Sequence, residues 1–514
     1  MPDDATPTAD GPLNLTRWCL GARAAGPLAG RPAFTFVHAD GREERWTAAE
    51  AWARIERTAR GLLDLGLKRG ERVLIRLPHA PSYAFAFFGA NLAGLVPIPA
   101  SPALTAEEAA FLAQDAEAAA LVAGDGMAIE GFRGRVLSER DLEALDGTAA
   151  LPETHAEDPA FLIYTSGTTS KPKGVLHAHR TVYGRAMMRE GWQGFGPDDV
   201  TLHAGTLNWS YTLGVGLMDA WAAGSHAILA AGIETTQWPA LIERLGVTIF
   251  VAVPTVYRQM LKYARIEDHD LSSLRHVLVS GEALAPTLYD EWRARAGTEM
   301  YEALGMTELS TYISAGPVTP VRRGSPGRPQ PGRRVAILDP TSLDPASEAP
   351  RLLPPGEVGM LASHRSDPGL MLGYWHRPDE EAVVFRGEWF TGGDLAALDA
   401  DGYVWFHGRA DDTIKSFGYR LSPNEIEAAI EACPGVLEVA VVGHRIDEQK
   451  TLVTACVVPQ AGATLDVATL QAHAAQHLAE YKRPHEYVLR TEPLPRTRNG
   501  KLVRRVVLEE LAGS

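Results

Sequence analysis

Short apolar segments alternate with helix-forming segments along much of the chain. Residues 72–77 (RVLIRL) and 96–99 (VPIP) predict buried strands, and residues 82–94 between them predict a helix. The Ala- and Glu-rich stretch 106–120 predicts the next helix. Because parallel strands must be joined by a crossover, usually an α-helix, this order predicts a parallel sheet that is covered by helices.

The same alternation returns between residues 160 and 310. Strands are predicted at 227–229, 249–253 and 276–279, and helices at 236–245 and 254–264. Two sheet subdomains of the βαβ type are therefore predicted, one before and one after about residue 160.

The sequence pattern of the chain changes in its last two hundred residues. From about 320 to 407, short alternating strands are interrupted by Gly and Pro, which is typical of a small β-rich subdomain. A compact α+β segment of about a hundred residues follows Gly408. The predicted fold is therefore α/β, with a large N-terminal domain of two βαβ-type subdomains plus a β-rich subdomain, and a small C-terminal domain.

Charge and cysteine content exclude several classes of function. Lys plus Arg is 49 and Asp plus Glu is 64, so the net charge of −15 argues against general nucleic-acid binding. The three cysteines, Cys19, Cys433 and Cys456, are too few and too scattered for a disulfide framework. The acidic N-terminus lacks the basic and apolar regions of a signal peptide, and no apolar stretch is long enough to span a membrane. We therefore expect a cytoplasmic protein without a membrane anchor.

The strongest local signal is residues 161–174, FLIYTSGTTSKPKG, in which an apolar strand runs into a loop rich in Gly, Ser, Thr and Lys. Glycine allows a ligand to approach the backbone, and hydroxyls, free N–H groups and lysine side chains can surround phosphate. The loop is not a Walker A motif, because Pro172 stands where that motif needs glycine. A Ser/Thr-rich surface turn is the alternative interpretation, but so specific a string favours a phosphate loop.

Residues 164–174 resemble the signature loop of the adenylate-forming superfamily, which comprises acyl-CoA synthetases, aryl-CoA ligases, stand-alone adenylation domains and luciferases. Segments that resemble the other family motifs follow in the family's order: SGEAL at 280–284, YEALGMTE at 301–308, WFTGGDL at 389–395, GRADD at 408–412, IKSFGYRLSPNEIE at 414–427 and PRTRNGKLVRR at 495–505. The resemblance is strongest to benzoate-type and medium-chain acyl-CoA ligases.

The resemblance implies a set of residues that bind ATP. They are Thr165, Ser166, Gly167, Thr168, Thr169, Lys173, Gly281, Glu282, Ala283, Glu302, Ala303, Leu304, Thr307, Asp394 and Arg409. Within this set, Glu302 would lie near the adenine amino group, Thr307 would contact phosphate, and Asp394 would bind both ribose hydroxyls. The chain departs from the family at Leu304, where many members have an aromatic residue that stacks on adenine, and at Gly392, where threonine is usual.

Three positions, one of them Thr165 of the ATP-binding set, are implied to carry the chemistry. Lys501 would be the catalytic lysine of adenylation, Thr165 would assist from the phosphate loop, and Glu308 would hold Mg²⁺, since hard cations prefer carboxylate oxygens. Alone, Lys501 would be interpreted as a solvated lysine of a basic tail. An acetyltransferase that modifies Lys501 would remove its charge and stop adenylation.

The resemblance also implies a mobile C-terminal domain. Residues 1–408 would bind acid and ATP, 409–412 would be a hinge with Asp411 as its pivot, and 413–514 would rotate. Gly418 would line the tunnel that admits the thiol of coenzyme A. A homodimer is a further expectation.

The segment LNWSYTLGVG at 207–216 corresponds to the family region that forms a wall of the acid pocket. Trp209, Tyr211, Gly305 and Met306 are predicted to line that pocket, with Gly305 leaving its floor open. The alternative is that Trp209 and Tyr211 are core aromatic residues. His177 and His179 follow the phosphate loop and are interpreted as packing or polar-loop residues, because two histidines alone do not make a metal site.

The expected activity is an ATP-dependent carboxylic acid:CoA ligase that forms AMP and pyrophosphate. Its partners would be ATP, coenzyme A and an aromatic or short-to-medium acyl acid. Two alternatives remain open: an adenylation enzyme that loads a carrier-protein phosphopantetheine, and a regulatory nucleotide-binding protein without turnover.

Overall fold

A computed structural model describes residues 11–165, 172–343, 350–410, 412, 414–416, 419–446, 451–478, 480–496 and 502–512. Contacts between Cα atoms divide the chain into two units. The first comprises Met1–Arg334 and Ser363–Phe390, and the second comprises Val335–Ala362 and Thr391–Ser514. The predicted hinge at 409–412 stays a prediction, and its pivot Asp411 lies outside the described residues.

The strands, in chain order, are β1 (Pro32–Val37), β2 (Glu43–Thr47), β3 (Arg72–Arg76), β4 (Val96–Pro99), β5 (Ala118–Ala123), β6 (Arg135–Ser138), β7 (Pro159–Thr165), β8 (Lys173–Ala178), β9 (Val200–His203), β10 (His226–Ala230), β11 (Ile249–Ala252), β12 (His276–Ser280), β13 (Glu299–Met306), β14 (Ser310–Ser314), β15 (Arg328–Pro329), β16 (Val335–Leu338), β17 (Gly359–His364), β18 (Gly373–Tyr374), β19 (Phe385–Arg386), β20 (Trp389–Leu398), β21 (Val404–Arg409), β22 (Ile414–Ser416), β23 (Tyr419–Leu421), β24 (Val436–Arg445), β25 (Thr451–Pro459) and β26 (Glu486–Leu489).

The α-helices, numbered in the same order, are α1 (Ala22–Ala25), α2 (Ala48–Asp64), α3 (Pro81–Leu92), α4 (Ala106–Asp115), α5 (Glu139–Glu143), α6 (Thr181–Met188), α7 (Ala220–Ala222), α8 (Trp238–Leu245), α9 (Pro254–Tyr263), α10 (Pro286–Ala296), α11 (Pro378–Val384), α12 (Pro423–Glu431), α13 (Val467–His477) and α14 (Arg504–Ala512). Wider π-helical turns occupy Arg17–Gly21, Arg189–Gln193 and Thr212–Asp219, and 3₁₀ turns occupy Thr235–Gln237, Ile266–Asp268, Pro340–Ser342 and Glu480–Lys482.

A nine-stranded sheet dominates the first unit, with strand order β15-β14-β13-β12-β11-β9-β10-β1-β2. Its central strands, from β13 through β12, β11, β9 and β10 to β1, pair in parallel, and the remaining strands pair antiparallel at both edges. Buried side chains cover both faces of the sheet. The βαβ organisation predicted for this region is confirmed.

The second sheet of this unit, β4-β3-β5-β6, is entirely parallel. Helix α3 begins at Pro81 and ends before Ala93, and all twelve of its residues are buried, as its apolar sequence predicted. It contributes to a core that also contains residues of the nine-stranded sheet. Within the described part of the chain, no helix combines the length and apolarity that crossing a bilayer requires.

The prediction of one helix over residues 106–120 was wrong in its last third. Helix α4 ends at Asp115, and residues 118–123 form β5. Glu117, between the two elements, has a φ of +49°, a left-handed conformation that does not continue a right-handed helix. The Ala-rich residues 118–123 then pair with β3 on one side and β6 on the other, so sheet burial overrides the helix propensity of alanine.

The second unit contains the predicted β-rich and α+β segments. Strands β16, β17, β20 and β21 are neighbours in one sheet, and β20 and β21 form the predicted antiparallel hairpin around Asp401 and Gly402. Strands β24, β25 and β26 form a second sheet beside α12 and α14. Ser422 accepts a hydrogen bond from the Glu425 backbone at 3.4 Å and Pro423 opens α12, as predicted for this helix start.

Candidate active site

Several predicted nucleotide-binding residues lie at the carboxyl edge of the nine-stranded sheet. Strand register places His203 beside Val251, Val251 beside Leu278, and Leu278 beside Tyr301. Residues 281–283 follow the end of β12, and residues 302–304 lie beside that end on β13. Both segments are therefore at the carboxyl edge of the sheet, where ligands bind in open parallel sheets. Gly281 has a φ of +96°, a conformation that glycine adopts readily, so the backbone can turn sharply at the end of β12.

Two carboxylates stand at this edge. Glu302 accepts a hydrogen bond from the Leu284 backbone at 2.9 Å, and Glu282 accepts one from the Thr255 hydroxyl at 2.9 Å. Burial raises the pKa of Glu302 to about 7, because its charged form has lost the solvation of water. Glu302 can therefore change its protonation state near neutral pH.

The phosphate loop connects two antiparallel strands, not a strand to a helix. Thr165 at the end of β7 pairs with Lys173 at the start of β8. Ser166, Gly167, Thr168 and Thr169 lie outside the described residues. At the loop exit, the Lys173 ammonium lies 3.1 Å from the Glu380 carboxylate and 4.0 Å from the centroid of the Tyr374 ring. The cation of Lys173 is thereby held in a defined position.

Glu308, the predicted magnesium ligand, belongs to the same cluster. The Tyr374 hydroxyl donates to its Oε1 at 2.8 Å, and the Met371 backbone donates to its carbonyl at 2.8 Å. Among the described residues, Glu308 makes no ion pair with a basic side chain. A half-buried carboxylate oriented by a neutral donor, with its second oxygen available, fits the oxygen ligand that Mg²⁺ prefers.

Sequence reasoning missed Tyr374, which bridges Lys173 and Glu308, and Glu380, which pairs with Lys173. The segment GYWHRPDEE at 373–381 shows a helix start at Pro378, but no local pattern connects it to a loop two hundred residues earlier. A second set of contacts also joins the strand before the phosphate loop to the segment 373–381. The hydroxyl of Tyr164 and the guanidinium of Arg377 both donate to Asp115, at 2.7 and 2.6 Å.

His177 and His179 are buried, as expected for packing residues. His177 Nε2 lies 2.9 Å from the carbonyl of Thr307, so it supports the segment that precedes Glu308. His179 Nδ1 accepts a hydrogen bond from the Leu15 backbone at 3.0 Å. In the described ranges no three His, Cys, Asp or Glu side chains are grouped as metal ligands.

The predicted acid-pocket residues lie in different surroundings. Trp209 is half-buried just before the π-helical turn Thr212–Asp219. Tyr211 stacks on Trp192 with ring centroids 6.2 Å apart, and its ring meets His203 edge-on at 4.7 Å. Met306 is the last residue of β13 and is half-buried.

The reason proposed for Gly305 was wrong. A Cβ at this position would lie 2.6 Å from the carbonyl oxygen of Ser310 and 2.6 Å from the Cα of Thr311. The space beside Gly305 is therefore filled by strand β14 and is not an open floor. A register shift between β13 and β14 at this point brings the two backbones so close that only glycine fits.

In the second unit, the predicted ribose ligand and its neighbour come together. Asp394 and Arg409 are partners on β20 and β21, and the guanidinium Nη1 lies 3.2 Å from Asp394 Oδ1. The same nitrogen donates to the Gly392 carbonyl at 2.5 Å. A Cβ at Gly393 would lie 2.9 Å from Arg409 Nη2, so glycine at that position leaves room for the arginine.

Lys501 and Gly418 lie outside the described residues, but the segment after Lys501 is anchored. Arg504 donates to Asp412 at 3.0 Å, to Asn424 at 2.7 Å and to Glu427 at 2.6 Å. This cluster joins the start of α14 to the residue beside Asp411 and to α12. The start of α14, which follows Lys501 in the chain, is therefore fixed within the second unit.

The chain is similar to known proteins along most of its length. The AMP-binding enzyme family matches residues 22–375, and its C-terminal domain family matches residues 425–501. The chain is 29% identical over 492 residues to an uncharacterized acyl–CoA ligase, YtcI, of Bacillus subtilis (strain 168), with 91% of each chain covered. It is also 29% identical over 524 residues to the 3-hydroxybenzoate–CoA ligase of Aromatoleum sp. (strain CIB), with 96% of each covered.

A solved structure shows the same fold. The anthranilate CoA ligase AuaEII in complex with anthranoyl-AMP superimposes with a TM-score of 0.86 at 26% identity, covering 98% of this chain and 97% of that one. The family matches confirm the resemblance seen in the motifs. The chain belongs to the AMP-binding enzyme family, the adenylate-forming superfamily that includes the acyl-CoA ligases.

Proposed function

We propose that the chain is a carboxylic acid:CoA ligase that makes an acyl-AMP and then an acyl-CoA, releasing pyrophosphate and AMP. The observation that carries the proposal is the cluster of Lys173, Tyr374 and Glu308, which joins the phosphate-loop exit to the predicted metal ligand. A cationic side chain beside an oriented carboxylate is the combination that chemistry on a magnesium-bound triphosphate requires.

In the first half-reaction, the acid's carboxylate attacks the α-phosphorus of ATP, and the bond to pyrophosphate breaks. Both reactants are anions, so the protein must supply positive charge and oriented donors. Lys173 and the hydroxyl of Thr165 would hold phosphate oxygens, and Lys501 would neutralise charge that develops at the α-phosphate. Mg²⁺ on Glu308, when bound, supplies further positive charge to the phosphates.

In the second half-reaction, the thiolate of coenzyme A attacks the acyl carbonyl and AMP leaves. Rotation about Asp411 would withdraw Lys501 and bring Gly418 to the thiol tunnel. Asp394 and Arg409 would hold the ribose and nucleotide through both steps. Their mutual contact keeps Asp394 in one orientation without a ligand.

The substrate is proposed to be an aromatic or short-to-medium acyl acid. At the end of β9, the ring of Tyr211 contacts His203 and stacks on the fully buried Trp192, and such aromatic surroundings suit a flat or compact acyl group. The relatives that act on 3-hydroxybenzoate and anthranilate support an aromatic acid.

The test is pyrophosphate release over a panel of aromatic and C2–C8 aliphatic acids, with ATP and Mg²⁺. We expect release with at least one acid and thioester formation when coenzyme A is added. Thioester formation only on a phosphopantetheinylated carrier protein would favour the carrier-loading alternative. The absence of release with every acid would contradict the proposed function.

Glu302 provides a pH test of the proposed adenosine site. If its carboxylate accepts a hydrogen bond from the adenine amino group, adenosine binds the ionised form more tightly. With a pKa of about 7, affinity for adenosine should rise about tenfold between pH 6 and pH 8, because at lower pH binding must first remove a proton.

Calorimetric titration with adenosine measures this directly, since adenosine carries no phosphate that titrates in the same range. We expect a flat profile in Glu302→Gln. Glu299→Gln is the matched control, because Glu299 lies at the other end of β13 and binds Tyr289 at 2.6 Å, so the pH dependence should persist. A flat profile in the unsubstituted protein would place Glu302 away from adenine.

A further inference from the structure

Two buried polar atoms at the sheet edge have no hydrogen-bond partner among the described residues. They are Nε2 of His203 and the hydroxyl oxygen of Tyr211. Leaving a buried polar atom unpaired is costly, so two such atoms on rings that contact each other indicate a ligand that satisfies them. Neither atom has a role in the proposed adenylation chemistry.

The hydrogen bonds around His203 determine which of its nitrogens carries the proton. Its Nδ1 accepts a hydrogen bond from the Gly205 backbone at 2.9 Å, so in the neutral ring the proton is on Nε2. His203 is only 2% exposed, and it is the last residue of β9. Nε2 is therefore a buried donor at the carboxyl edge of the sheet.

Tyr211 places a second polar group beside this donor. The rings of His203 and Tyr211 meet edge-on with centroids 4.7 Å apart, and Tyr211 also stacks on Trp192. The hydroxyl can both donate and accept. By contrast, the neighbouring buried Tyr257 bonds the carbonyls of Phe250 and Leu278 at 3.0 and 3.1 Å, as a structural tyrosine should.

We infer that His203 and Tyr211 bind a neutral oxygen substituent of the acid substrate, such as a hydroxyl group. The inference rests on the proposed function and specifies its substrate class. A hydroxyl oxygen would accept from His203 Nε2, and its hydrogen would bond the Tyr211 oxygen, so both orphaned atoms would be satisfied.

Charge distinguishes a hydroxyl from a second carboxylate. Burial lowers the pKa of His203 to about 3 and that of the nearby His79 to about 4, so both rings are neutral at physiological pH. A second carboxylate would then be buried without a cation, which is strongly unfavourable. We therefore expect hydroxy acids to be preferred over dicarboxylic acids.

The experiment compares benzoate with 2-, 3- and 4-hydroxybenzoate, and with the corresponding benzenedicarboxylates, as substrates for pyrophosphate release. In the unsubstituted protein, kcat/KM for one hydroxybenzoate should exceed that for benzoate at least tenfold. Tyr211→Phe removes one oxygen atom and should reduce this ratio about tenfold. His203→Phe should reduce it similarly.

Tyr257→Phe is the matched control, because it removes a buried tyrosine hydroxyl that already has partners; the ratio should not change. The inference would be overturned if the ratio of kcat/KM for hydroxybenzoate to that for benzoate were equal in the unsubstituted protein and in Tyr211→Phe. It would also be overturned if the unsubstituted protein preferred benzoate. Binding of the same acids, measured by calorimetry without ATP, separates the two proposals. Selective binding of a hydroxybenzoate without pyrophosphate release would contradict the proposed function and support the hydroxyl site.

Discussion

Replacing Lys501 with alanine should slow acyl-AMP formation at least a hundredfold while leaving thioester formation from prepared acyl-AMP within about threefold of normal. The proposed role explains the difference, because the lysine stabilises charge only while the carboxylate attacks the α-phosphate. Removing one preorganised donor to a developing charge costs about 10²–10³ in rate. In the second half-reaction the lysine would have been withdrawn, so it should contribute little.

The two half-reactions can be measured separately, by acid-dependent pyrophosphate exchange and by consumption of synthetic acyl-AMP with coenzyme A. Lys262→Ala is a suitable control, since Lys262 is exposed on α9, lies over the Tyr263 ring and belongs to none of the motifs. Lys501→Gln should behave like Lys501→Ala, because it too removes the charge, as acetylation would. Normal exchange in either Lys501 variant would contradict the catalytic role.

Much of the fold follows from patterns that are local in sequence. Strand β3, helix α3 and strand β4 lie within a residue or two of their predicted ends, because each is bounded by Pro, Gly or a change of periodicity. The start of α12 was predictable for the same reason. The error at residues 118–120 arose because burial between β3 and β6, which the sequence pattern does not reveal, decided the structure.

In the candidate site, too, some residues can be predicted from local sequence and others depend on long-range contacts. The loop, Glu302, Glu308 and Asp394 are identifiable because each lies in a motif of several residues. Tyr374 and Glu380 are not, since their importance comes from contacts with Lys173 and Glu308 across long sequence separations. Gly305 shows that even a recognised motif position can be misinterpreted, because the register between β13 and β14, not pocket size, requires its glycine.

Replacing Arg333 with leucine should lower the free energy of unfolding by about 3–5 kcal/mol, the largest stability effect we expect from a single substitution of a charged residue. The side chain of Arg333 is 0% exposed and that of its partner Asp367 is 2% exposed. Nη1 donates to both Asp367 oxygens at 2.8 and 2.6 Å, and Nη2 donates to the carbonyls of Gly184 and Thr311 at 2.8 and 3.1 Å.

The loss would come mainly from the carboxylate of Asp367, which would be left buried without its cation. Arg31→Leu is the matched control: its pair with Asp198 is 3.0 Å long, but the side chains are 47% and 87% exposed, so less than about 1 kcal/mol should be lost. Urea unfolding followed by circular dichroism compares the two variants. The double variant Arg333→Leu/Asp367→Leu should recover part of the loss, because it removes the unpaired charge as well. If Arg333→Leu proved as stable as Arg31→Leu, the buried pair would not be the anchor that joins α6, β14 and the turn at Asp367.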